Sequence, residues 1–224
     1  QKMGKCGCSH CSCHSSKPKG IHAKNIRLVS LVQPVGDADG KMEILSKLMI
    51  SLMGSSPMLD DNLYKTAVKK NCELGVENML ATNDYELYDD APVAIDIATK
   101  LHSMLVTTQQ LAQMGATIAA DGVNPMSGVP VFDGRLSENI VAMMAAKGPK
   151  KMRKPWMTIT GVPAMSSFGG GFMTVIPGFG SIAAFSPELI DGHVPFKAAM
   201  AMREIVTTLD LNVFASARVK VKKE

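Results

Sequence analysis

The chain is poor in aromatic residues, which make up 5% of its 224 positions. It also has no apolar run approaching the roughly 18 residues that a membrane-spanning helix needs, and no secretory signal sequence is visible. Its hydrophobic content of 46% is still sufficient for one core, or for one domain with extensions. Methionine reaches 17 residues, and because its side chain is flexible, this abundance indicates adaptable, helix-rich packing.

Acidic residues are absent from positions 1–24, which carry five lysines. Two further basic clusters lie at residues 147–154 and 218–223, and the formal net charge is +4. Basic clusters of this kind suit nucleic acid, anionic lipid or an acidic protein surface, or they are simply solvated. Because no aromatic residues are interleaved for base stacking, nucleic acid is not favoured. Docking on an acidic protein surface is therefore expected for these clusters, and solvated tails or loops stay open as the alternative.

Helical periodicity dominates the first two thirds of the chain. Apolar residues recur at helical spacing over residues 41–53, which predicts a helix there. Further helices are predicted over about 59–70, 76–88, 92–105, 108–121 and 137–147. Thr107 and Gln110 have the spacing of a capping box that opens the helix at 108, and Ser137 is a candidate cap for the last helix.

After residue 155 the pattern changes to short β-rich segments that glycine and proline separate. Segments 156–160, 171–176 and 181–185 predict an antiparallel meander, and residues 194–209 predict a closing helix. The predicted fold class is therefore α+β, with a helical part followed by strands and a final helix.

Residues 161–171 read GVPAMSSFGGG and resemble the G-L-P-A-K-S-G-x-x-G-G signature of the glutaminases. This family comprises serine-dependent amidases of the penicillin-binding and β-lactamase superfamily. Residues 111–128, 175–178 and 185–189 resemble three further runs of the family, in the family order. The resemblance implies a β-lactamase/glutaminase-like fold: a helical domain, C-terminal antiparallel strands and a closing helix, with the first strands missing.

The lysine of the family signature is replaced in this chain. In the superfamily a Lys-Ser/Thr-Gly triplet lines the active site, where its cation helps to fix the substrate and tune the nucleophile. Met165 stands in the place of this lysine, and a thioether cannot carry its charge. The resemblance further implies that Asn71 replaces a substrate-binding glutamate and His22 a substrate-binding asparagine.

The remaining family positions are partly replaced and partly retained. Two family tyrosines are replaced by Ala98 and Lys150, the second at the catalytic position of G-M-Y-D. Asn78 matches a family asparagine, and the backbone N–H of Phe168 occupies an oxyanion-hole position. The nucleophilic Ser-x-x-Lys of the family lies further upstream, in a part that this chain does not contain. Residues 16–19, SKPK, match the string by chance, since proline disrupts the helical turn that the motif requires.

These positions together predict a catalytically inactive glutaminase-like domain, not an enzyme, which serves as an accessory or structural subunit of a larger assembly. Two alternatives stay open: an amidase active only with a second chain that carries Ser-x-x-Lys, and a module that binds a small molecule. Other protein subunits are expected as partners, because a sheet without its first strands has an open edge. The chain begins with Gln1, so we expect a processed, organellar form, and the resemblance implies a mitochondrial location.

The predicted domain organisation has three parts. Residues 1–20 form a Cys/His-rich basic tail, residues 21–214 the glutaminase-like domain, and residues 215–224 a second basic tail. Within the domain, residues 21–154 are predicted to be mostly helical, and residues 155–210 to contain the strands and the C-terminal helix.

A dense group of metal-binding residue types lies in the N-terminal tail. Residues 6–14 contain four cysteines and two histidines: Cys6, Cys8, His10, Cys11, Cys13 and His14. Thiolate and imidazole suit tetrahedral Zn²⁺, and so dense a thiol cluster also suits Cu⁺. Zinc or copper is therefore the predicted cofactor. Disulfides, partner contacts and an inert tail stay open as alternatives.

Overall fold

Two compact units make up the part of the chain that the computed structural model describes, which is residues 23–83, 85–149, 152–190 and 194–215. The described residues of 23–47 and 57–105 form the first unit, and those of 48–56 and 106–215 form the second. No helix among the described residues is long and apolar enough to cross a membrane.

The first unit is helical apart from one short strand pair. Its helices are α1 (Ala23–Ser30), α2 (Ala38–Met53), whose last residues belong to the second unit, α3 (Asp61–Glu73), α4 (Val76–Thr82) and α5 (Ala91–His102). Strands β1 (Met58–Leu59) and β2 (Met104–Leu105) pair antiparallel. The core includes these buried apolar residues: Ile26, Val29, Val76, Leu80, Val93, Ala94, Ile97 and Ala98. The core is therefore built from one apolar stripe of each contributing helix.

The second unit contains the main sheet. Its helices are α6 (Thr108–Ala119), α7 (Gly134–Lys147), α8 (Arg153–Thr160) and α9 (Phe196–Thr208). Strands β3 (Ala164–Ser166), β4 (Gly171–Ile176) and β5 (Gly180–Phe185) form an antiparallel sheet in the order β3-β4-β5. Strands β6 (Leu189–Ile190) and β7 (Val194–Pro195) form a separate antiparallel pair.

Helices of the second unit cover both faces of the β3-β4-β5 sheet. Successive side chains of a strand point to opposite faces, and β4 shows this alternation clearly. Phe172 packs with residues of α8 and α9 on one face. Met173 and Val175 pack with residues of α6 and α7 on the other face. Because both faces are covered, five of the six residues of β4 are buried.

The predicted α+β class is confirmed, as are the antiparallel strands at 171–176 and 181–185 and the closing helix. The capping box is also confirmed, since the Thr107 side chain accepts from Gln110 N (3.1 Å) and Gln110 Oε1 accepts from Thr107 N (2.9 Å). The cap predicted at Ser137 is wrong. Helix α7 begins earlier, where Asp133 Oδ1 accepts from Arg135 N (2.8 Å).

The strand predicted at residues 156–160 is also wrong, because these residues form the second half of α8. Met152, Trp156 and Thr160 recur every four residues and lie on the helix side that faces the interior. Gly161 follows with a left-handed φ of 63° and ends the helix. A five-residue segment rich in β-branched and aromatic residues does not by itself distinguish a strand from a buried helix, and the helical spacing begins before this segment, at residue 152.

The helix predicted at 76–88 is shorter in the structure, since α4 ends at Thr82. Tertiary contacts hold Tyr88 and Asp89, which lie in a bend outside any helix. Tyr88 N donates to Ser30 Oγ (3.1 Å), and the Asp89 carboxylate forms a buried ion pair with Lys41. Contacts with residues distant in sequence therefore override the local helical pattern.

Candidate active site

The GVPAMSSFGGG segment at 161–171 forms an edge strand and the turn that follows it. Strand β3 pairs with β4 on one side, with Met165 opposite Met173 and Ser166 opposite Phe172. Among the described strands, β3 has no neighbour on its other side. The segment that carries the family signature therefore lies at the border of the sheet.

The pairing with β4 fixes which backbone groups of β3 face outward. Val175 N donates to Pro163 O (3.0 Å), and bonded pairs recur at every second residue of an antiparallel ladder. Met165 is therefore the next residue bonded to β4. The N–H and C=O groups of Ala164 and Ser166 point away from β4, towards the open side of the sheet.

Met165 projects from the sheet face that α6 and α7 cover. Its neighbour Ala164 packs with Trp156 on the opposite face, and side chains alternate along a strand. The Met165 side chain is 40% exposed, so a larger or charged side chain can be accommodated there without burial. As a neutral thioether it offers a weak acceptor and no charge.

The turn after β3 is closed by three hydrogen bonds around one serine. Ser167 N donates to Gly171 O (2.9 Å), Gly171 N donates to Ser167 Oγ (3.0 Å), and Gly170 N donates to Ser167 O (3.2 Å). Gly170 has a φ of 93°, and its carbonyl accepts from Ser186 N (3.0 Å). Phe168, the predicted oxyanion-hole position, lies in this turn with a 52% exposed side chain. The turn is thus a fixed element and its phenyl group faces solvent.

Three of the predicted site positions belong to the first unit. Asn71 is buried on α3, and its Nδ2 donates to Thr99 Oγ1 (3.0 Å), which itself donates to Ile95 O (2.6 Å). Ala98 is fully buried on α5, whereas Asn78 is exposed in the first turn of α4. The Asn71 amide therefore joins α3 to α5. The sequence predicted only that Asn71 replaces a substrate-binding glutamate, and it did not predict this structural contact.

The only tyrosine on α3 is a poor candidate for proton transfer. Tyr64 OH donates to Asp96, whose carboxylate also pairs with Lys100 (2.9 Å). Burial first, then the hydrogen bond and charge of Asp96, raise the pKa of Tyr64 to about 12. A phenol with such a pKa stays protonated near neutral pH and is inefficient as a general base. The hydrogen bond to Asp96 and the raised pKa therefore make Tyr64 a poor proton acceptor near neutral pH.

Several predicted site residues lie outside the described part of the chain. These are His22, Lys150 and the metal candidates Cys6, Cys8, His10, Cys11, Cys13 and His14. Within the described ranges, no group of three or more histidine, cysteine, aspartate and glutamate side chains could hold a metal ion. Cys72, the one cysteine in those ranges, is disulfide-bonded. The zinc or copper site therefore stays a prediction.

The sequence reading also missed a residue that supports β3. Trp156 Nε1 donates to Val162 O (2.7 Å), immediately before the strand. The chain contains one tryptophan, which is 2% exposed, and buried indole groups ordinarily find a hydrogen-bond acceptor. Trp156 lies five residues before the GVPAMSSFGGG segment, and this proximity is the sequence feature that indicates a supporting role. The strand predicted at 156–160 did not indicate that role.

Comparisons with known proteins support the resemblance. The Glutaminase family model matches residues 17–214. A Glutaminase of Bacteroides thetaiotaomicron is 39% identical over 202 residues, which cover 90% of this chain and 63% of the relative. A Glutaminase of Bacteroides fragilis is 36% identical over 208 residues, which cover 93% and 64%.

Solved structures match as well. "Probable glutaminase ybaS" has a TM-score of 0.79 at 29% identity, covering 87% of this chain and 62% of that one. A covalent complex of the Bacillus subtilis glutaminase YbgJ with 5-oxo-L-norleucine, formed with 6-diazo-5-oxo-L-norleucine, has a TM-score of 0.77. It is 21% identical, covers 86% of this chain and 68% of that one, and shows the fold alone.

The chain therefore belongs to the glutaminase family, and its fold is the β-lactamase-like fold of that family. It spans about 63% of the length of the first of these curated relatives.

Three predictions are corrected by these relatives. The predicted inactive accessory subunit is wrong, because curated relatives at 35–39% identity are named Glutaminase and nothing in them indicates such a subunit. The prediction that the chain is not an enzyme is contradicted for the same reason. The mitochondrial location conflicts with relatives that come from Bacteroides species. The replaced residues at the family's site positions therefore do not establish a loss of activity.

Proposed function

We propose that this chain is a glutaminase, or the corresponding part of one, that hydrolyses the side-chain amide of glutamine. Water supplies the oxygen of the new carboxyl group, the C–N bond breaks, and the products are glutamate and ammonia. The observation that carries the proposal is the family match over residues 17–214, which includes both units.

The edge strand β3 supports the same reaction. Acyl transfer from an amide passes through a tetrahedral oxyanion, which backbone N–H donors stabilise when they are fixed before the reaction. The Ser166 N–H points to the open side of the sheet, and the turn at 167–171 fixes the end of the strand. We infer that the substrate lies along this edge, next to the exposed Met165 side chain.

Glutamine hydrolysis is the direct test of the proposal. We expect the purified full-length protein that contains this chain to release ammonia and glutamate from L-glutamine in equal amounts. L-Asparagine, with a side chain shorter by one methylene, is the control substrate, and we expect slower turnover because the shorter chain misplaces the amide. No ammonia above the protein-free rate would contradict the proposal.

A covalent probe identifies the nucleophile independently of turnover. The B. subtilis glutaminase YbgJ reacts with 6-diazo-5-oxo-L-norleucine to give a covalent complex. We expect the same reagent to inactivate this protein and to add one 5-oxo-L-norleucine group, which peptide mapping then locates. Excess glutamine present during labelling should protect the protein. Labelling that glutamine leaves unchanged would show reaction outside the substrate site.

The effect of Met165 is tested by restoring the family lysine. We expect Met165→Lys to raise kcat/KM for glutamine by roughly fivefold, because an exposed charge pair with an anionic substrate group contributes up to about 1 kcal/mol. The 40% exposure of the Met165 side chain means that the ammonium group remains solvated. Met165→Gln, which has similar length and no charge, is the matched control. Equal kcat/KM values for the two variants would show that charge at this position does not matter here.

A further inference from the structure

Trp156 supports the chain immediately before β3. Its side chain is almost fully buried, and Nε1–H donates to the Val162 carbonyl oxygen at 2.7 Å. Val162 is completely buried, so this carbonyl is removed from water. Without the indole N–H, a buried carbonyl would lose its partner, and the peptide group would have to turn to find another donor.

The same indole ring also supports the far end of the strand. The rings of Trp156 and Phe172 meet edge to face, with centroids 4.8 Å apart and an interplanar angle of 61°. Phe172 is the β4 residue opposite Ser166, which is the last residue of β3. One side chain therefore contacts both the approach to β3 and the residue paired with its end.

A second contact fixes the turn between α8 and β3. Val213 N donates to Gly161 O (3.2 Å), and Gly161 N donates to Met157 O (2.9 Å). A Cβ at Gly161 would overlap the Asn212 side chain, so the segment after α9 lies directly against this turn. The turn has little room to move, and Trp156 therefore acts on a segment that is already held at Gly161.

We propose that Trp156 is a positioning residue of the glutaminase site, an inference that rests on the proposed function. It does not touch the substrate. Through the bond to Val162 and the ring contact with Phe172, it fixes the position of β3 relative to β4. The position of β3 in turn determines where the outward Ser166 N–H and the Met165 side chain lie. Small displacements of groups that surround the reacting atoms reduce rates strongly, even when the chemistry lies elsewhere.

The test compares two variants of the same core cluster in the full-length protein. Trp156→Phe keeps an aromatic ring against Phe172 and removes the N–H donor. Met202→Leu alters packing in the same cluster and leaves the bond to Val162 in place. We expect Trp156→Phe to lower kcat about tenfold with KM within about twofold, because positioning acts on the transition state. Met202→Leu should lower Tm and leave both constants unchanged.

Amide hydrogen exchange gives a readout that does not depend on turnover. We expect the amides of Met165 and Met173, which face each other in the β3–β4 ladder, to exchange several-fold faster in Trp156→Phe, because the strand opens locally. In Met202→Leu they should exchange as in the unsubstituted protein.

Unchanged kcat and exchange in Trp156→Phe, with an active unsubstituted protein, would overturn the inference and leave the proposed function standing. Equal loss of kcat in both variants would also overturn it, since general packing would then be the cause. If the unsubstituted protein does not hydrolyse glutamine, the proposed function is overturned and this inference with it.

Discussion

Asp89→Asn is expected to lower the free energy of unfolding by about 3–5 kcal/mol, the usual effect of removing one partner of a buried ion pair. The Asp89 side chain is 1% exposed and pairs with Lys41, which is 0% exposed. Lys41 Nζ also donates to Ser30 O (3.3 Å), and Asp89 Oδ1 accepts from Gly36 N (3.0 Å). The variant leaves an ammonium group buried without a counter-charge. Denaturant unfolding followed by circular dichroism measures the change.

The matched control for this prediction is an exposed ion pair on α2, the helix that carries Lys41. Glu43 and Lys47 pair at 2.6 Å, with side chains 66% and 71% exposed. We expect Glu43→Gln to change the free energy of unfolding by less than about 0.5 kcal/mol, since water screens such pairs. If Glu43→Gln and Asp89→Asn lowered the free energy of unfolding by similar amounts, burial would not be the reason for the large effect expected at Asp89.

The contribution of Asp89 also depends on pH in a defined direction. Burial alone would raise the pKa of Asp89, but the hydrogen bond from Lys41, the backbone N–H groups of Asp90 and Gly36, and the Lys41 charge together lower it. The pKa is thus lower in the folded than in the unfolded chain, where it is about 3.9. The stabilisation is present above that pH and is lost as the pH falls through the lowered value. The difference between wild type and Asp89→Asn should therefore shrink below about pH 4.

Gly170→Ala is expected to destabilise the second unit by roughly 3 kcal/mol and to abolish most activity, because a left-handed φ and a backbone clash act together. The φ of Gly170 is 93°, and an added Cβ would overlap the carbonyl oxygen of Ser186. The same Cβ would lie 3.0 Å from Cε2 of Phe185. Relief requires moving the turn away from Ser186, which breaks the bond from Ser186 N to Gly170 O.

The neighbouring glycine provides the matched control. An added Cβ at Gly169 would meet Ser167 Oγ at 3.7 Å, an ordinary contact. We expect Gly169→Ala to leave the free energy of unfolding within about 0.5 kcal/mol of wild type, as surface substitutions usually do. Thermal unfolding and glutamine hydrolysis are measured on both variants. If Gly170→Ala were as stable and active as Gly169→Ala, the turn would accommodate the added Cβ without loss of free energy of unfolding, and the prediction would be wrong.

The parts of the fold that the sequence predicted are those that short-range interactions specify. The capping box at Thr107 and Gln110 lies within four residues, and the helix opens where the pattern places it. Strand β4 occupies the predicted residues 171–176 because turn residues bound its apolar run on both sides. Helical periodicity likewise located α3, α5 and α9 to within a few residues.

The failed prediction at 76–88 was decided by contacts between residues far apart in the chain. The helix expected at 76–88 stops at Thr82, and Asp89, in the non-helical segment before α5, forms the buried pair with Lys41. The strand expected at 156–160 is a helix, and there the sequence did hold a signal in the four-residue spacing from Met152. The five residues 156–160 taken alone fit either a strand or a helix, and only the longer window that starts at Met152 favours the helix.

The candidate site shows the same division. The GVPAMSSFGGG segment was sufficient to locate the edge strand and to place Met165 on it, because a continuous motif occupies a continuous stretch of chain. Its chemistry could not be decided from the replaced residues alone. The relatives named Glutaminase contradict the inference of inactivity that those replacements had suggested.

The sequence by itself determined the family, the fold class, the capped helix α6 and the strand that carries Met165, since each depends on residues that are neighbours in the chain. Only the tertiary structure decided that Trp156 holds the Val162 carbonyl, that Asn71 bonds to Thr99 across 28 residues, and that Lys41 is neutralised in the interior. Burial makes each of these contacts necessary, because a polar group removed from water must find a partner wherever the fold brings one.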